Sequence, residues 1–350
     1  MKNMKISPYL SSKITIFYTL LIIMVVYIHS TYLEMFQYET ADFMLKFWGG
    51  HGLCSIANPL FFIISGFLLV GGVTTVVDLL KKLQKRVRTL VVPFILWNVI
   101  FVLWYVILDI TPWVSGYVNS TGIIEAWKSL QIWESIYNML TEPAGFHLWF
   151  LRDLIVFMAI SPLLWLISKR SRIAAIVLSV VLNHWMAWVF WFWLGLTIRV
   201  SEWNIEKLPK GNWVFVLTGV IYIGSAVLGG MEMDKMIPSS FGVIGFVKQL
   251  ACIYFVWIVY DKIARGRCLS EQGLWRHICG YSFFIYCFHE PAFNIIKKLG
   301  VVVLGSSEPV LIVLYLINPL IMVAIAITIA KTMLHIKPLS LVYKFLTGGR

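Results

Sequence analysis

The sequence predicts an all-α fold: a polytopic integral membrane bundle of about ten transmembrane helices with both termini in the cytoplasm. Three observations predict it. The 350 residues are 59% hydrophobic and only 13% charged, with a mean hydropathy of +0.82, whereas a soluble domain is nearer half apolar and a quarter charged. The apolar residues fall into runs close to the ~20 residues that cross a bilayer. The basic residues gather between alternate runs, as the positive-inside rule requires.

Taken in order, the apolar runs place spans near 14–33, 55–76, 89–110, 146–167, 172–184, 186–200, 213–230, 241–260, 279–298 and 309–330. The first has no small-residue cleavage site after it and exceeds signal-peptide length, so it is read as a retained helix. The fifth and sixth are short and also fit one bent hairpin around Asn183, His184 and Trp185. Between the third and fourth lies an outer segment, about 111–145, whose Trp113, Trp127, Trp133, Glu125 and Glu134 suit an interfacial amphipathic helix. Sixteen Trp, 15 Tyr and 23 Phe suit aromatic belts at both interfaces. No repeat or soluble appendage interrupts the pattern, so residues 1–350 read as a single membrane-embedded domain.

The orientation rests on charge. Of 29 lysines and arginines, 22 lie in segments that share a side with the N-terminus. Only Lys46, Lys128, Lys235, Lys297 and Lys298 lie on the other side, and Arg152 and Lys248 fall within spans. The net charge of +12 is spread over these short segments and forms no groove-sized patch, which excludes nucleic acid as a partner. The bilayer is the partner instead, in the inner or plasma membrane. The five cysteines make no CxxC pair and no metal spacing, so they read as small apolar residues with free thiols.

Titratable groups inside a span are costly and mark candidate sites. The first span carries His29, the fourth His147, Arg152 and Asp153, the eighth Lys248, and the ninth His289 and Glu290. At a rise of about 1.5 Å per residue, His29 lies about 22 Å above the inner start of its span and His289 about 15 Å above its own. Arg152 lies about 8 Å below the outer end of its span. These groups share the middle to outer part of the bilayer and can line one cavity. Each also has a structural reading. His147 opens its span and can cap it. Arg152 and Asp153 can form ion pairs with other helices. Lys248 can snorkel or pair with Glu290. Pro291 can make His289 and Glu290 part of a kink, and His29 can be a packed histidine bonded to a carbonyl.

The motifs around these residues resemble the acyltransferase-3 family of membrane O-acyltransferases. Val25-Val26-Tyr27-Ile28-His29-Ser30 closes the first helix, and Phe61-Phe62-Ile63-Ile64-Ser65-Gly66-Phe67-Leu68 lies in the second. Lys81-Lys82-Leu83-Gln84-Lys85-Arg86-Val87-Arg88, running to Pro93-Phe94 and Trp97, resembles the family's basic cytoplasmic loop. His147-Leu148-Trp149-Phe150-Leu151-Arg152-Asp153-Leu154 and Ser282-Phe283-Phe284-Ile285-Tyr286, followed by His289 and Pro291, resemble its later signatures, in the family order.

The resemblance implies transfer of an acyl group, usually acetyl, from cytoplasmic acyl-CoA to a hydroxyl or amino group of an envelope molecule. The acceptor is typically a glycan or a lipid-linked saccharide. It implies His29 as catalytic base. Arg152 and His289 join it as candidate catalytic groups, and Tyr18, His147, Asp153 and Glu290 as candidate acceptor-binding groups. Lys82, Lys85, Arg86 and Arg88 would hold the CoA phosphates, or serve only as a topology signal. Acetyl-CoA or another acyl-CoA is a co-substrate, and no cofactor is bound permanently. No metal is called for: the attacking hydroxyl needs a base, and an imidazole titrates near neutrality. The carbonyl oxygen needs a cation or donor, a task given to Arg152. The sequence departs from the family at Tyr18, where an arginine usually stands eleven residues before the histidine. Eleven residues turn a helix by about 1,100°, so Tyr18 and His29 share a face. A transporter or flippase without covalent chemistry, or a non-catalytic relative, remains the alternative.

Overall fold

A computed structural model describes residues 6–111, 134, 141–232, 243–269 and 273–349, and among them every regular element is helical. The outer segment predicted to carry an interfacial helix falls almost wholly outside these residues. The helices are α1 (Pro8–Ile28), α2 (Glu39–Trp48), α3 (Ala57–Leu69), α4 (Val76–Arg86), α5 (Val92–Ile110) and α6 (Trp149–Arg170). They continue with α7 (Arg172–Leu182), α8 (Val189–Val200), α9 (Asn212–Gly230), α10 (Val243–Ala264), α11 (Leu274–Leu304), α12 (Glu308–His335) and α13 (Lys337–Thr347).

Local chemistry sets the helix starts. Ser7 caps α1 by accepting from the Leu10 N–H at 3.0 Å, with Pro8 in the first turn where its missing N–H is harmless. Thr75 and Asp78 make a capping box at the start of α4: the Asp78 N–H donates to Thr75 Oγ1, and Asp78 Oδ2 accepts from the Thr75 N–H. Ser171 caps α7 in the same way.

Among the described residues, seven helical stretches are long and apolar enough to cross a membrane. Three of the ten predicted spans are not among them. Helices α7 and α8 have only 11 and 12 residues, each about half the thickness of a hydrocarbon core. In α11, His289, Glu290 and Asn294 interrupt the apolar run. The short pair folds back at the predicted turn, where Asn183 Oδ1 accepts from the Phe190 N–H at 3.3 Å.

One apolar core runs through the bundle. Helix α1 packs against α3, α11 and α12, and α3 packs closely on α8. That last contact is backbone to backbone. A Cβ on Gly66 would come within 2.0 Å of the Phe192 carbonyl oxygen, and one on Gly195 within 1.9 Å of the Ile63 oxygen. Small residues permit this approach in lipid, where close van der Waals packing holds helices together. Large apolar side chains such as Leu103, Ile173 and Val220 are exposed on the outer surface, as a lipid-facing bundle requires.

Near the N-terminus, charge is buried in a pair that the sequence did not reveal. Lys13 Nζ lies 2.7 Å from Asp261 Oδ1 and donates to the Trp257 carbonyl at 2.9 Å, and Lys210 reaches Asp261 Oδ2 at 2.9 Å. Lys13 therefore stabilises the α1–α10 contact, besides counting toward orientation.

Candidate active site

A cleft with about 810 Å³ of empty space, its open mouth included, runs between α1, α3, α6 and α11. Arg86 and Leu68 lie at one end and Tyr286 and Val25 toward the other. The spacing of its lining residues is regular. On α1 they are Tyr18, Ile22 and Val25; on α6 Leu151, Leu154 and Met158; on α11 Ser282 and Tyr286. Residues three and four apart share a helix face, so each stripe can be extended toward the same end of the bundle. The next position after the α1 stripe is the C-cap residue His29, the one before the α6 stripe is His147 in the 3-10 turn (Phe146–Leu148) that leads into the helix, and on α11 it is His289. Three cleft-lining stripes from three helices therefore each terminate in a histidine.

The three imidazoles meet there. Ring centroids are 5.2 Å apart for His29 and His289, 4.8 Å for His147 and His289, and 6.5 Å for His29 and His147. His147 and His289 are fully buried, and His29 is half-buried. His29 sits at the C-terminal cap of α1, where Lys297 Nζ donates to its carbonyl at 3.1 Å and to that of Thr31 at 3.3 Å. The cation satisfies carbonyls that the helix end leaves unbonded.

Carbonyls fix the tautomers of the other two. His289 Nδ1 lies 2.8 Å from the Tyr286 oxygen and 3.2 Å from that of Ile285, so it carries the proton. His147 Nε2 lies 3.3 Å from the Cys287 oxygen and likewise donates. That leaves His289 Nε2 and His147 Nδ1 as bare acceptors, buried and without a partner. Buried acceptors are rarely left empty without a functional reason. Two further contacts set the pocket's shape. The Tyr286 hydroxyl donates to the His147 carbonyl at 2.6 Å. Gly145 admits the Phe101 ring, which a Cβ would meet at 2.4 Å.

The remaining predicted residues divide. Tyr18 lines the cleft, with its ring 5.5 Å from that of Phe61. Arg152 does not reach the histidines. Its guanidinium is held by Asp153 at 2.8 Å and by the Thr141 carbonyl, because its helix position points about 100° away from the Leu151 stripe. Arg152 and Asp153, expected to meet the carbonyl oxygen and the acceptor, are thus paired with each other. Glu290 is buried and accepts from Asn294 Nδ2 at 2.8 Å. It marks the break in α11, with ψ at 141°, the extended conformation that a following proline favours. Kink and site are thus the same feature. Lys248 lines a separate cavity and forms no ion pair with Glu290.

The basic loop divides as well. Arg86 enters the cleft, while Lys82 Nζ caps the end of α3 by donating to the Leu69 carbonyl at 3.3 Å and to that of Gly71. Lys85 and Arg88 are exposed. Lys297 was counted as an outer-loop charge, although it falls near the end of the predicted span and well inside α11. The apolar Val301–Leu304 run, which carries α11 six residues past the predicted end, was the signal that this helix continues beyond Lys297.

No group of His, Cys, Asp or Glu suited to a metal ion occurs among the described residues. None of the five cysteines forms a disulfide, and Cys54, Cys252 and Cys287 are buried.

The chain is similar to the succinoglycan biosynthesis protein ExoH of Rhizobium meliloti (strain 1021), at 24% identity over 307 residues that cover 80% of this chain and 78% of that protein. No solved structure matches it. A family model for an acyltransferase domain, acyltransferase family 3, matches residues 19–331, a stretch that contains all three histidines and every cleft-lining residue except Tyr18, which immediately precedes it. This multi-pass membrane protein belongs to the acyltransferase-3 family.

Proposed function

We propose that the chain transfers an acyl group, acetyl in the simplest case, from cytoplasmic acyl-CoA to a hydroxyl of an envelope glycan or a lipid-linked saccharide in the inner or plasma membrane. The observation that carries this reading is the three cleft stripes converging on His29, His147 and His289 at the end away from Arg86. A thioester arm entering past Arg86 would present its carbonyl near the imidazoles. The CoA phosphates would stay with the basic loop. The similarity to a succinoglycan biosynthesis protein favours a saccharide acceptor.

In the reaction, His29 takes the proton of the acceptor hydroxyl as its oxygen attacks the thioester carbon. The C–S bond breaks, the acyl group stays on the acceptor oxygen, and the thiolate leaves and is protonated. A thiol of pKa about 8.5 leaves without metal assistance. His289 Nε2, bare because Nδ1 donates to Tyr286, is the second acceptor at this point. The carbonyl oxygen would be met by polar groups of the cleft wall, where Tyr18 and Asn58 both lie.

The test is acyl transfer by protein in proteoliposomes, read as CoA thiol release and as acyl mass gained by an envelope glycan extract. His29→Ala is expected to lower the rate 10²–10⁴-fold, the usual contribution of a general base, with unchanged thermal stability. A variant that keeps more than about a tenth of the activity removes His29 from the role. Mass spectrometry of glycans from cells with and without the gene identifies the acceptor.

A further inference from the structure

A second cavity, with about 970 Å³ of empty space, opens beside the histidines and takes no part in the chemistry above. It lies between the α2–α3 link, the α7–α8 turn, α9 and the start of α10. Gly50 on its rim packs against Ile28, the residue before His29: a Cβ there would lie 3.6 Å from Ile28 Cγ2. The cavity is therefore at the histidine end of the bundle.

Its walls combine aromatic faces with hydrogen-bonding groups. Trp188 and Trp191 supply the faces, and Asn183, Ser225, Lys248 and Gln249 the polar groups. The Gln249 amide N–H is anchored on the Ser55 carbonyl at 3.1 Å, so its oxygen is available as an acceptor. Asn183 uses its oxygen on the Phe190 N–H, so its amide hydrogens are available as donors. Rings beside fixed polar groups suit a sugar, which presents C–H faces and a rim of hydroxyls.

Two features show that this cavity is not simply a packing gap. Trp188 has φ +74°, a left-handed conformation that strains a bulky residue and clusters at functional sites. That backbone places its ring 5.6 Å from Trp149, two residues past His147. Lys248 is half-buried, and it forms no ion pair or hydrogen bond with the described residues. No carboxylate lines the cavity among those residues. A cation in the outer half of a membrane protein is expensive without a counter-charge. Here the counter-charge would come with the ligand.

We infer that this cavity is the acceptor-docking subsite: it binds a carboxylate-bearing sugar of the glycan, with Lys248 on the carboxylate and Trp188 and Trp191 against the sugar faces. A hydroxyl on the neighbouring sugar is thereby brought to His29. The inference rests on the acyl-transfer reading for its purpose, but its test needs no acyl donor.

The experiment is calorimetric titration of the purified full-length protein in detergent with an oligo-glucuronate and with the matching neutral glucose oligomer. The acidic oligomer is expected to bind at least tenfold more tightly, and Lys248→Gln to remove that preference while Lys248→Arg keeps it. Trp188→Gly accepts the positive φ but removes a ring packed on Phe62 and Trp149, so it is read in the folded fraction, where it should weaken both oligomers about tenfold or more. His29→Ala should bind as the unmodified protein does, which separates failure of the catalytic reading from failure of this one. Equal affinity for the two oligomers, no binding of either, or an unchanged preference in Lys248→Gln overturns the inference. So does displacement of the acidic oligomer by phosphatidylglycerol micelles, which would make the cavity a lipid site.

Discussion

His147 donates from Nε2 to the Cys287 carbonyl, the acceptor four residues before Pro291. In an unbroken helix that carbonyl would accept from the N–H of residue 291, which a proline lacks. An imidazole from α6 thus completes a hydrogen bond that α11 cannot make for itself. The same donation fixes the His147 tautomer, and the break at Glu290 follows directly after His289. The kink and the arrangement of the histidines have one cause.

That relationship can be tested as a coupling. His147→Phe removes the imidazole donor to the buried Cys287 carbonyl, and should destabilise the protein by about 1–2 kcal/mol. Pro291→Ala restores an N–H at residue 291 and lets α11 straighten. The double variant is then expected to lose less stability than the sum of the single variants, by about 1 kcal/mol. Unfolding in detergent measures all four corners of the cycle. Additivity within about 0.5 kcal/mol would mean that the imidazole does not replace the missing donor. Pro291→Ala should also lower acyl transfer at least tenfold, because a shift of about 1 Å in His289 is enough to do so.

The α3–α8 contact gives a prediction about packing. A methyl group on Gly195 meets backbone at 1.9 Å, and backbone cannot rotate aside as a side chain can. Gly195→Ala and Gly66→Ala should each cost about 1–3 kcal/mol, the usual range for overpacking, and lower the melting temperature. Gly224→Ala, where a Cβ meets nothing within 4 Å, is the control and should leave stability unchanged or raised. Equal melting temperatures for all three variants would mean that the two helices are not in backbone contact.

These two contacts show what a sequence can and cannot reveal. Runs of apolar residues and periods of three and four are local, so the helices and the shared face of Tyr18 and His29 could be read directly. Gly66 sits in a recognisable motif, but the Phe192 backbone it packs against is 126 positions away and carries no local mark. Arg152 was read as facing the site, yet its long side chain turns to the adjacent Asp153, a choice set by tertiary surroundings. Lys82 and Arg86 looked equivalent within one basic run. They differ because α4 directs one to the end of α3 and the other into the cleft. The kink at Glu290 was foreseeable from Pro291, but the donor that compensates it lies on another helix.

Orientation is testable with introduced cysteines. Cys54 is a poor reporter, since it is only 2% exposed and would resist reagent on either side. Leu33, 77% exposed beyond the end of α1, and Gln84, exposed on α4, are better positions. In a cysteine-free background, Leu33→Cys should react with an impermeant maleimide in intact cells, and Gln84→Cys only after lysis. The expectation comes from the excess of lysine and arginine on the α4 side. The reverse pattern would invert the molecule, and would place the basic loop on the side without acyl-CoA.

The basic loop offers the sharpest separation of structure from function, because its cations do different work. Arg86 enters the cleft beside Leu68 and Leu90, where it could contact a CoA phosphate away from bulk solvent. A guanidinium can bind a phosphate with two parallel hydrogen bonds, which lysine cannot do. Arg86→Lys keeps the charge and therefore the topology, yet should weaken acyl-CoA binding by about 1–3 kcal/mol, the range for charged hydrogen bonds. Arg88→Lys changes an exposed side chain whose interactions salt screens, and should change affinity by less than a factor of three. Lys82→Gln removes the donor to the Leu69 and Gly71 carbonyls. Its expected effect is a melting temperature lowered by several degrees, with acyl-CoA affinity unchanged in the folded fraction. The measurements are acyl-CoA titration and thermal unfolding of each purified variant, with the cysteine reporters confirming insertion. If Arg86→Lys binds acyl-CoA as tightly as the unmodified protein, and Arg86→Gln does too, Arg86 contributes only to topology and the CoA phosphates must be held elsewhere.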